Sequence, residues 1–382
     1  MASPNRKPLV SMMVIAVLVG LGLCEVALRC FVPKTKALLG QLSYETLDGG
    51  KVATLAEAAA KGFVVEVEPK QRPRYRAMFA PGRSFYLCYS DAEKLHRDWF
   101  DERGRVLVRI NQHGVREREE LGPEKKPAAQ KRIVCIGDSF TFGWGIPEEQ
   151  CWVRLLENQM REPGKDIRTV NCGAAGAVCV DEYWWGLRNR FHVFQPDAVI
   201  VTLCLNDLIP SSGLFVQGPS PNTGFRIVDL ALSAFGRSPM DLDPALDWVG
   251  MLKGMSEPEA KAAQMCGVDA PFDNLWATGK PQHDLGAMKS WCERRKISLM
   301  IVLWPFLQGL GTARYYPFTS LHQEVATECK KQGIPFLDLL PALRSTDAED
   351  LWVTPADMHA NPKAQGLVMA DLLRFVRANC PF

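Results

Sequence analysis

Five short apolar runs, each leading into a loop or a helical pattern, constrain the fold of this 382-residue chain more than any other feature. Continuous apolar runs of this length are typical of strands that are buried on both faces of a parallel sheet. Such strands alternating with helices predict an α/β fold, a three-layer sandwich with about five parallel strands. The five runs are Arg132–Ile136, Ile167–Val170, Ala198–Leu203, Ser298–Leu303 and Pro335–Asp338.

Polar residues and glycines follow the first three of these strands, where ligands bind in open parallel sheets. Gly137, Asp138 and Ser139 follow the first strand. Gly176 lies in the loop after the second strand, and Asn206 follows the third. A serine hydroxyl at this edge is a candidate nucleophile, while a glycine N–H and an asparagine amide are candidate donors to a reacting oxygen. Taken singly, each residue also fits a turn or a helix cap.

A histidine near the C-terminus is the candidate general base. His359 comes just before Asn361-Pro362, which is a helix-start signal, and Asp357 lies two positions ahead of it. Histidine can accept a proton near neutral pH. Residues i and i+2 share a face in an extended segment, so Asp357 could fix the tautomer of His359. Considered alone, His359 fits a surface or helix-capping histidine better than a general base.

Four segments in this order resemble the blocks of the SGNH hydrolases, the superfamily also called GDSL esterases and lipases. The resemblance covers roughly residues 131–382, apart from an insertion, and implies the flavodoxin-like α/β/α sandwich of that superfamily. The segments that carry it are Gly137–Gly143, Asn171–Gly176, Asn206-Asp207 and Asp357–His359.

The same resemblance implies a role for each candidate residue. Ser139 would be the nucleophile and His359 the general base, with Asp357 orienting the imidazole. The backbone N–H of Gly176 and the side chain of Asn206 would bind the oxyanion, together with the backbone N–H of Ser139.

Two positions depart from the pattern of the superfamily. Cys204 stands where the third block usually begins with glycine, which would narrow the approach to the site but leave the Asn206 amide in place. The last block reads Asp-x-His instead of the more common Asp-x-x-His. Asp350 therefore remains an alternative to Asp357 as the orienting acid.

The resemblance implies a serine hydrolase that cleaves a short-chain or O-acetyl ester through an acyl-serine intermediate. The substrate would be a lipid or an acylated glycan. Two alternatives stay open: an O-acyltransferase or deacetylase acting on an envelope polysaccharide, and a non-catalytic glycan-binding module that retains the fold. We expect no cofactor and no metal, because Cys172 and Cys179 are too far apart for a zinc pair and no nucleotide-binding glycine pattern appears.

The balance of charge argues against a nucleic-acid partner. Lysine and arginine number 45 against 43 acidic residues, the net charge is +2, and the signs are scattered along the chain. A nucleic-acid-binding protein usually carries a basic stripe or patch. The 12 cysteines do not indicate any particular disulfide pairing.

An apolar segment near the N-terminus predicts a membrane anchor. Residues 1–8 form a tail with Arg6-Lys7, and residues 9–28 are apolar apart from Glu25. A helix of this length spans about 30 Å, enough for one bilayer crossing. A cleaved signal peptide is the alternative. Resemblance to anchored relatives implies that the catalytic domain is periplasmic or extracellular.

Residues 29–130 predict a stalk and a β-containing lead-in. The lead-in has three short strand patterns and ends near Asn111, Gly114 and Arg116, which we interpret as a packing or substrate-edge element. The hydrolase domain follows over residues 131–382 and contains an insertion at about 208–283. This insertion begins directly after Asn206, so it predicts either a lid or a helical addition packed away from the site.

Overall fold

The computed structural model describes most of the predicted sheet, the lead-in and the N-terminal helix. Gly176, most of the 208–283 insertion and most of the predicted stalk lie outside the described residues. The described residues are 7–31, 42–52, 61–65, 78–89, 97–118, 121–122, 126–175, 180–208, 227–228, 279–307, 310–311, 316, 318–355 and 357–382.

The chain divides into two units, Met1–Leu38 with Gln217–Asp247 and Leu39–Val216 with Trp248–Phe382. The first unit contains helix α1, Lys7–Phe31, in which Glu25 accepts a hydrogen bond from the backbone N–H of Ile227 at 2.9 Å. In the part of the chain that the structure describes, no helix is long and apolar enough to cross a membrane. The anchor over residues 9–28 stays a prediction.

The second unit is built around a five-stranded parallel sheet, which confirms the α/β fold. Its strands stand in the order β11-β10-β9-β7-β8, and every neighbouring pair is parallel. Strand β8 extends beyond the apolar run Ile167–Val170 at both ends, because Asp166 and residues 171–173 also pair with β7. The strands are β7 Gln130–Gly137, β8 Asp166–Gly173, β9 Ala198–Cys204, β10 Ser298–Trp304 and β11 Phe336–Asp338.

Both faces of the sheet are buried. All residues of the central strand β9 are buried, including Thr202, which is why this strand reads as an unbroken apolar run. Helix α4 (Val180–Asn189) contacts α5 (Lys280–Glu293), and helix α3 (Trp152–Met160) contacts α9 (Met369–Asn379). The helices of the hydrolase region are α2 Ser139–Phe142, α3 Trp152–Met160, α4 Val180–Asn189, α5 Lys280–Glu293, α6 Thr319–Gln332, α7 Leu340–Leu343, α8 Pro362–Leu367 and α9 Met369–Asn379.

The lead-in forms an antiparallel sheet in the same unit, with strand order β2-β1-β5-β6. Alternate residues of β5 and β6 are buried, so one face of this sheet contributes to the core. Strands β3 and β4 pair separately, and Phe79 of β4 lies 5.9 Å from the ring of Phe142 in α2. The strands are β1 Leu42–Thr46, β2 Lys51–Val52, β3 Val64–Val65, β4 Met78–Phe79, β5 Ser84–Tyr89 and β6 Arg105–Arg109.

A C-terminal hairpin carries the predicted base and acid. Its strands, β12 Trp352–Thr354 and β13 Asp357–Ala360, are antiparallel, and α8 follows directly. Asn361 caps α8 by accepting the N–H of Ala364 at 3.0 Å, and its amide donates to the carbonyl oxygen of Trp352 at 3.0 Å. One asparagine side chain thus joins the hairpin to the helix that follows it.

Candidate active site

Ser139 lies at a sharp turn between β7 and α2. Asp138 has an extended backbone, and its side chain caps α2 by accepting the N–H of Phe140 at 2.9 Å. A Cβ at position 137 would lie 2.2 Å from the Oγ1 atom of Thr141, so only glycine fits before the turn. The local sequence therefore places the Ser139 hydroxyl at the carboxyl edge of the sheet.

Arg116 holds the other end of this short helix. Its Nη1 atom donates to the carbonyl oxygen of Phe142 at 2.7 Å and also to that of Gly143, while Nη2 donates to that of Ile146 at 2.6 Å. The Arg116 side chain is almost fully buried. Carbonyl groups at a helix end have no partner within the helix, and here a side chain of the lead-in satisfies them.

The structure brings Ser139, His359 and Asp357 into one chain of hydrogen bonds. The Nε2 atom of His359 lies 2.8 Å from the Ser139 hydroxyl, and its Nδ1 atom lies 2.5 Å from Oδ1 of Asp357. Asp357 and His359 reach each other because residues i and i+2 of strand β13 share a face. The geometry is that of a nucleophile, a base and an acid that orients the base.

Burial and charge act in opposite directions on the two ionisable members. Burial by itself would raise the pKa of Asp357, but the charge of His359 and hydrogen bonds from His359 and Tyr89 outweigh it and lower the pKa. Burial would likewise lower the pKa of His359, but the charge and hydrogen bond of Asp357, with the charge of Asp138, raise it above 6.5. The pair therefore favours a carboxylate beside an imidazole that readily accepts a proton.

Asp350 does not contact His359 as an orienting acid would. Its carboxylate pairs with Lys363 at 3.0 Å, and both side chains are more than half exposed. Asp357 is the acid at the imidazole, and its side chain is only 11% exposed.

Of the candidate oxyanion donors, the backbone of Asn206 is within the described residues and Gly176 is outside them. Asn206 lies in a 3₁₀ turn, Leu205–Leu208, directly after β9, which puts its backbone at the same sheet edge as Ser139. The next residue, Asp207, is buried and accepts the N–H of Cys204 at 2.7 Å. Burial and the charge of Asp138 raise the pKa of Asp207 well above its ordinary value.

Aromatic rings border the imidazole. The ring of Phe140 lies 5.7 Å from that of His359, and the partly exposed Trp144 lies 6.2 Å from it. Trp144 also stacks at 6.4 Å on Phe79 of the lead-in. One side of the candidate site is therefore an apolar wall formed by α2 and the turn after it, with Phe79 of β4 packed against Trp144.

Sequence analysis did not identify Tyr89 as a site residue. The Tyr89 hydroxyl donates to Oδ2 of Asp357 at 2.7 Å across 268 positions of sequence. Alternation along β5 places Tyr89 on the buried face with Phe85 and Leu87, but alternation alone does not indicate a contact with the acid. Within the described ranges, no group of three or more His, Cys, Asp or Glu side chains could hold a metal ion.

Residues 135–367 match the sequence model of the GDSL-like Lipase/Acylhydrolase family, which is more than half of the chain. The chain belongs to this family. The prediction of a GDSL-type enzyme is confirmed at the level of the family.

Two curated relatives are esterases by name. An arylesterase of Vibrio mimicus is 29% identical over 82 residues, 21% of this chain, and the chain spans only 39% of its length. Esterase TesA of Pseudomonas aeruginosa is 24% identical over 186 residues, which cover 40% of this chain and 90% of the esterase.

Solved structures of esterases also align with the chain. The lipase/acylhydrolase from Enterococcus faecalis has 13% identity and a TM-score of 0.37, and the alignment covers 65% of this chain and 96% of that one. A variant of Axe2, an acetyl-xylooligosaccharide esterase from Geobacillus, has 13% identity and a TM-score of 0.39, with 66% and 96% covered.

Proposed function

We propose that this protein hydrolyses an acyl ester through an acyl-serine intermediate on Ser139. The observation that carries the proposal is the continuous hydrogen-bond chain from the Ser139 hydroxyl through His359 to Asp357. A serine hydroxyl is a weak nucleophile by itself and needs an adjacent base to accept its proton. Membership of the GDSL-like family and the names of the two curated relatives favour an ester as the substrate.

In the first half of the reaction, Ser139 Oγ attacks the ester carbonyl carbon while His359 Nε2 accepts the hydroxyl proton. Asp357 stabilises the imidazolium that forms. The tetrahedral intermediate then expels the alcohol, which takes the proton from His359 and leaves the acyl group on Ser139. In the second half, His359 Nε2 accepts a proton from water as the water oxygen attacks the acyl carbon. The second tetrahedral intermediate then breaks its bond to Ser139 Oγ, the carboxylic acid leaves, and His359 returns the proton to Ser139.

The oxyanion of each tetrahedral intermediate needs donors that face it. We assign this role to the backbone N–H groups of Ser139 and Gly176 and to the side-chain amide of Asn206. Each such donor typically contributes on the order of a hundredfold or more to the rate.

We infer that the acyl group is short or is an O-acetyl group, carried by a lipid or by an acylated glycan. The wall of Phe140 and Trp144 beside His359 supports an apolar contact with the acyl group or with one face of a sugar ring.

We also propose that residues 9–28 anchor the chain in a membrane, with the catalytic unit periplasmic or extracellular. Most of the large apolar side chains described on α1 are exposed, among them Leu21 at 47% and Met12 at 68%, and Leu28 is half-buried. A succession of exposed large apolar side chains is rare on a helix that is surrounded by water. Membrane fractionation of the full chain and of a variant lacking residues 1–36 tests this proposal. We expect the full chain in the membrane fraction and the shortened variant in the soluble fraction. Recovery of both proteins in the soluble fraction would contradict an anchor.

Labelling with a fluorophosphonate probe tests the catalytic proposal directly. We expect the full chain to react covalently and to hydrolyse p-nitrophenyl acetate, and we expect Ser139→Ala to lose both activities. Ser290→Ala provides the control, because Ser290 is an exposed serine on helix α5. A folded wild-type protein that neither labels nor turns over the ester would contradict the proposal.

A further inference from the structure

Tyr89 of β5 is a buried side chain that the mechanism above does not use. Its hydroxyl donates to Oδ2 of Asp357 at 2.7 Å, while Oδ1 of the same carboxylate faces His359 Nδ1 at 2.5 Å. The Tyr89 ring stacks on Phe100 at 5.0 Å with an angle of 13° between the planes. Two donors from different sheets therefore hold the two oxygens of one carboxylate.

The surroundings keep Tyr89 in its protonated form. Burial, the charge of Asp357 and their hydrogen bond raise the pKa of Tyr89 well above 10. The hydroxyl therefore donates to Asp357 throughout the pH range in which an esterase works. Gly145 adjoins the hydroxyl, since a Cβ there would lie 2.4 Å from it, so the turn after α2 leaves room for the tyrosine.

We propose that Tyr89 is a positioning residue of the catalytic triad, through which the lead-in sheet orients Asp357 and limits its basicity. This inference rests on the proposed roles of Ser139, His359 and Asp357. It extends the hydrogen-bond chain to four side chains and makes the lead-in part of the catalytic unit.

The hydrogen bond from Tyr89 has two effects that can be measured. It fixes the plane of the Asp357 carboxylate, and it draws negative charge from the oxygen that faces His359. Without it, the carboxylate would hold the imidazolium more strongly and the pKa of His359 would rise. The other ionisable groups that act on this array are Asp138 beside His359, Tyr44 near Asp357, and Arg116 near Tyr89.

Tyr89→Phe in the full chain tests the proposal, because it removes the hydroxyl and keeps the stacked ring. We expect kcat for p-nitrophenyl acetate to fall roughly tenfold with KM within about twofold of wild type. We expect the acid limb of kcat/KM to move to higher pH by roughly half a unit. Tyr86→Phe is the matched control, since Tyr86 lies on the opposite face of β5 beneath Arg105 and should leave both quantities unchanged.

A double variant separates action through Asp357 from a general loss of packing. In an Asp357→Asn background, Tyr89→Phe should change the residual rate less than twofold, whereas a packing defect would lower it as in the wild type. Circular dichroism and thermal melting establish that each variant is folded.

Two results would overturn the inference. One is a Tyr89→Phe enzyme whose kcat and acid limb match wild type. The other is an equal loss of rate with and without the Asp357 carboxylate. Fluorophosphonate labelling of the wild-type protein tests the proposed function separately. If the wild type labels at Ser139 but Tyr89→Phe has no effect, only the inference about Tyr89 is rejected.

Discussion

At the scale of single residues, the proposed chemistry depends on how strongly His359 binds a proton. The charge and hydrogen bond of Asp357 overcome the effect of burial and hold the pKa of His359 above its ordinary 6.5. A general base must be neutral to accept the serine proton, so activity is lost as the pH falls through this raised pKa. We expect an acid limb of kcat/KM with a midpoint above 6.5, measured with p-nitrophenyl acetate. A rate that stays flat down to pH about 4 would exclude His359 as the base.

Asn206 is the residue whose proposed role is easiest to isolate. Replacing Asn206 with Ala should lower kcat on the order of a hundredfold, because one donor to the oxyanion is lost. Steady-state kinetics on the folded variant measure this effect, and fluorophosphonate labelling of Ser139 should slow in parallel. Turnover equal to wild type would remove Asn206 from the oxyanion site.

At the scale of elements, the C-terminal hairpin must hold Asp357 and His359 in register with Ser139. The Asn361 side chain makes three hydrogen bonds: it accepts from the N–H of Ala364 and donates to the carbonyl oxygens of Asp350 and Trp352. These contacts link both strands of the hairpin to helix α8. The position of the base therefore depends on a residue that takes no part in the chemistry.

Replacing Asn361 with Ala should lower the free energy of unfolding by about 2–3 kcal/mol, because a helix cap and two buried hydrogen bonds are lost. It should also lower kcat, since the hairpin that carries His359 loses its support. Urea unfolding and ester hydrolysis measure the two effects. Asn379→Ala is the control, because the Asn379 amide donates to the carbonyl oxygen of Phe375 one turn earlier in the same helix. An equal loss in both variants would contradict this argument.

At the scale of the whole catalytic unit, a buried polar network joins the lead-in to the parallel sheet. Arg154 of α3 is buried and pairs with Glu117, with Glu148 at 3.1 Å and with Glu157 at 2.8 Å. Glu117 also accepts the N–H of Asn171 in β8 at 2.8 Å, and burial raises its pKa to about 8. Adjacent residues at the end of the lead-in, Arg116 and Glu117, thus hold the nucleophile turn and the next strand.

Removal of Arg154 would leave three buried carboxyl groups without their shared donor. Arg154→Met should lower the free energy of unfolding by about 3–5 kcal/mol, measured by urea denaturation. Arg161→Met is the matched control: Arg161 pairs with Glu157 at 2.7 Å but is 38% exposed, and its loss should cost less than about 1 kcal/mol. Similar losses in the two variants would show that burial of Arg154 is not what makes its contacts strong.

The local sequence was sufficient for the parallel strands, for the serine at the end of β7, and for the proximity of Asp357 to His359. Each of these depends on short-range rules: unbroken apolar runs, a turn that admits only glycine, and side chains two positions apart on one strand. Boundaries were less predictable. The helix that Asn361-Pro362 predicts does begin at Pro362 with Asn361 as its cap, but it ends at Leu367, and a second helix, Met369–Asn379, follows it.

Only the tertiary structure decided which side chains from other segments contact Asp357 and the turn after Ser139. Tyr89 reaches Asp357 across 268 positions, and Arg116, in the segment after β6, reaches the carbonyl groups of Phe142 and Gly143. Neither contact leaves a periodic or spaced pattern in the sequence, because each joins segments that are brought together only by the folded chain. The same holds for Asp357 and Asp350: burial and the distance to His359, and not residue type, distinguish the two acids.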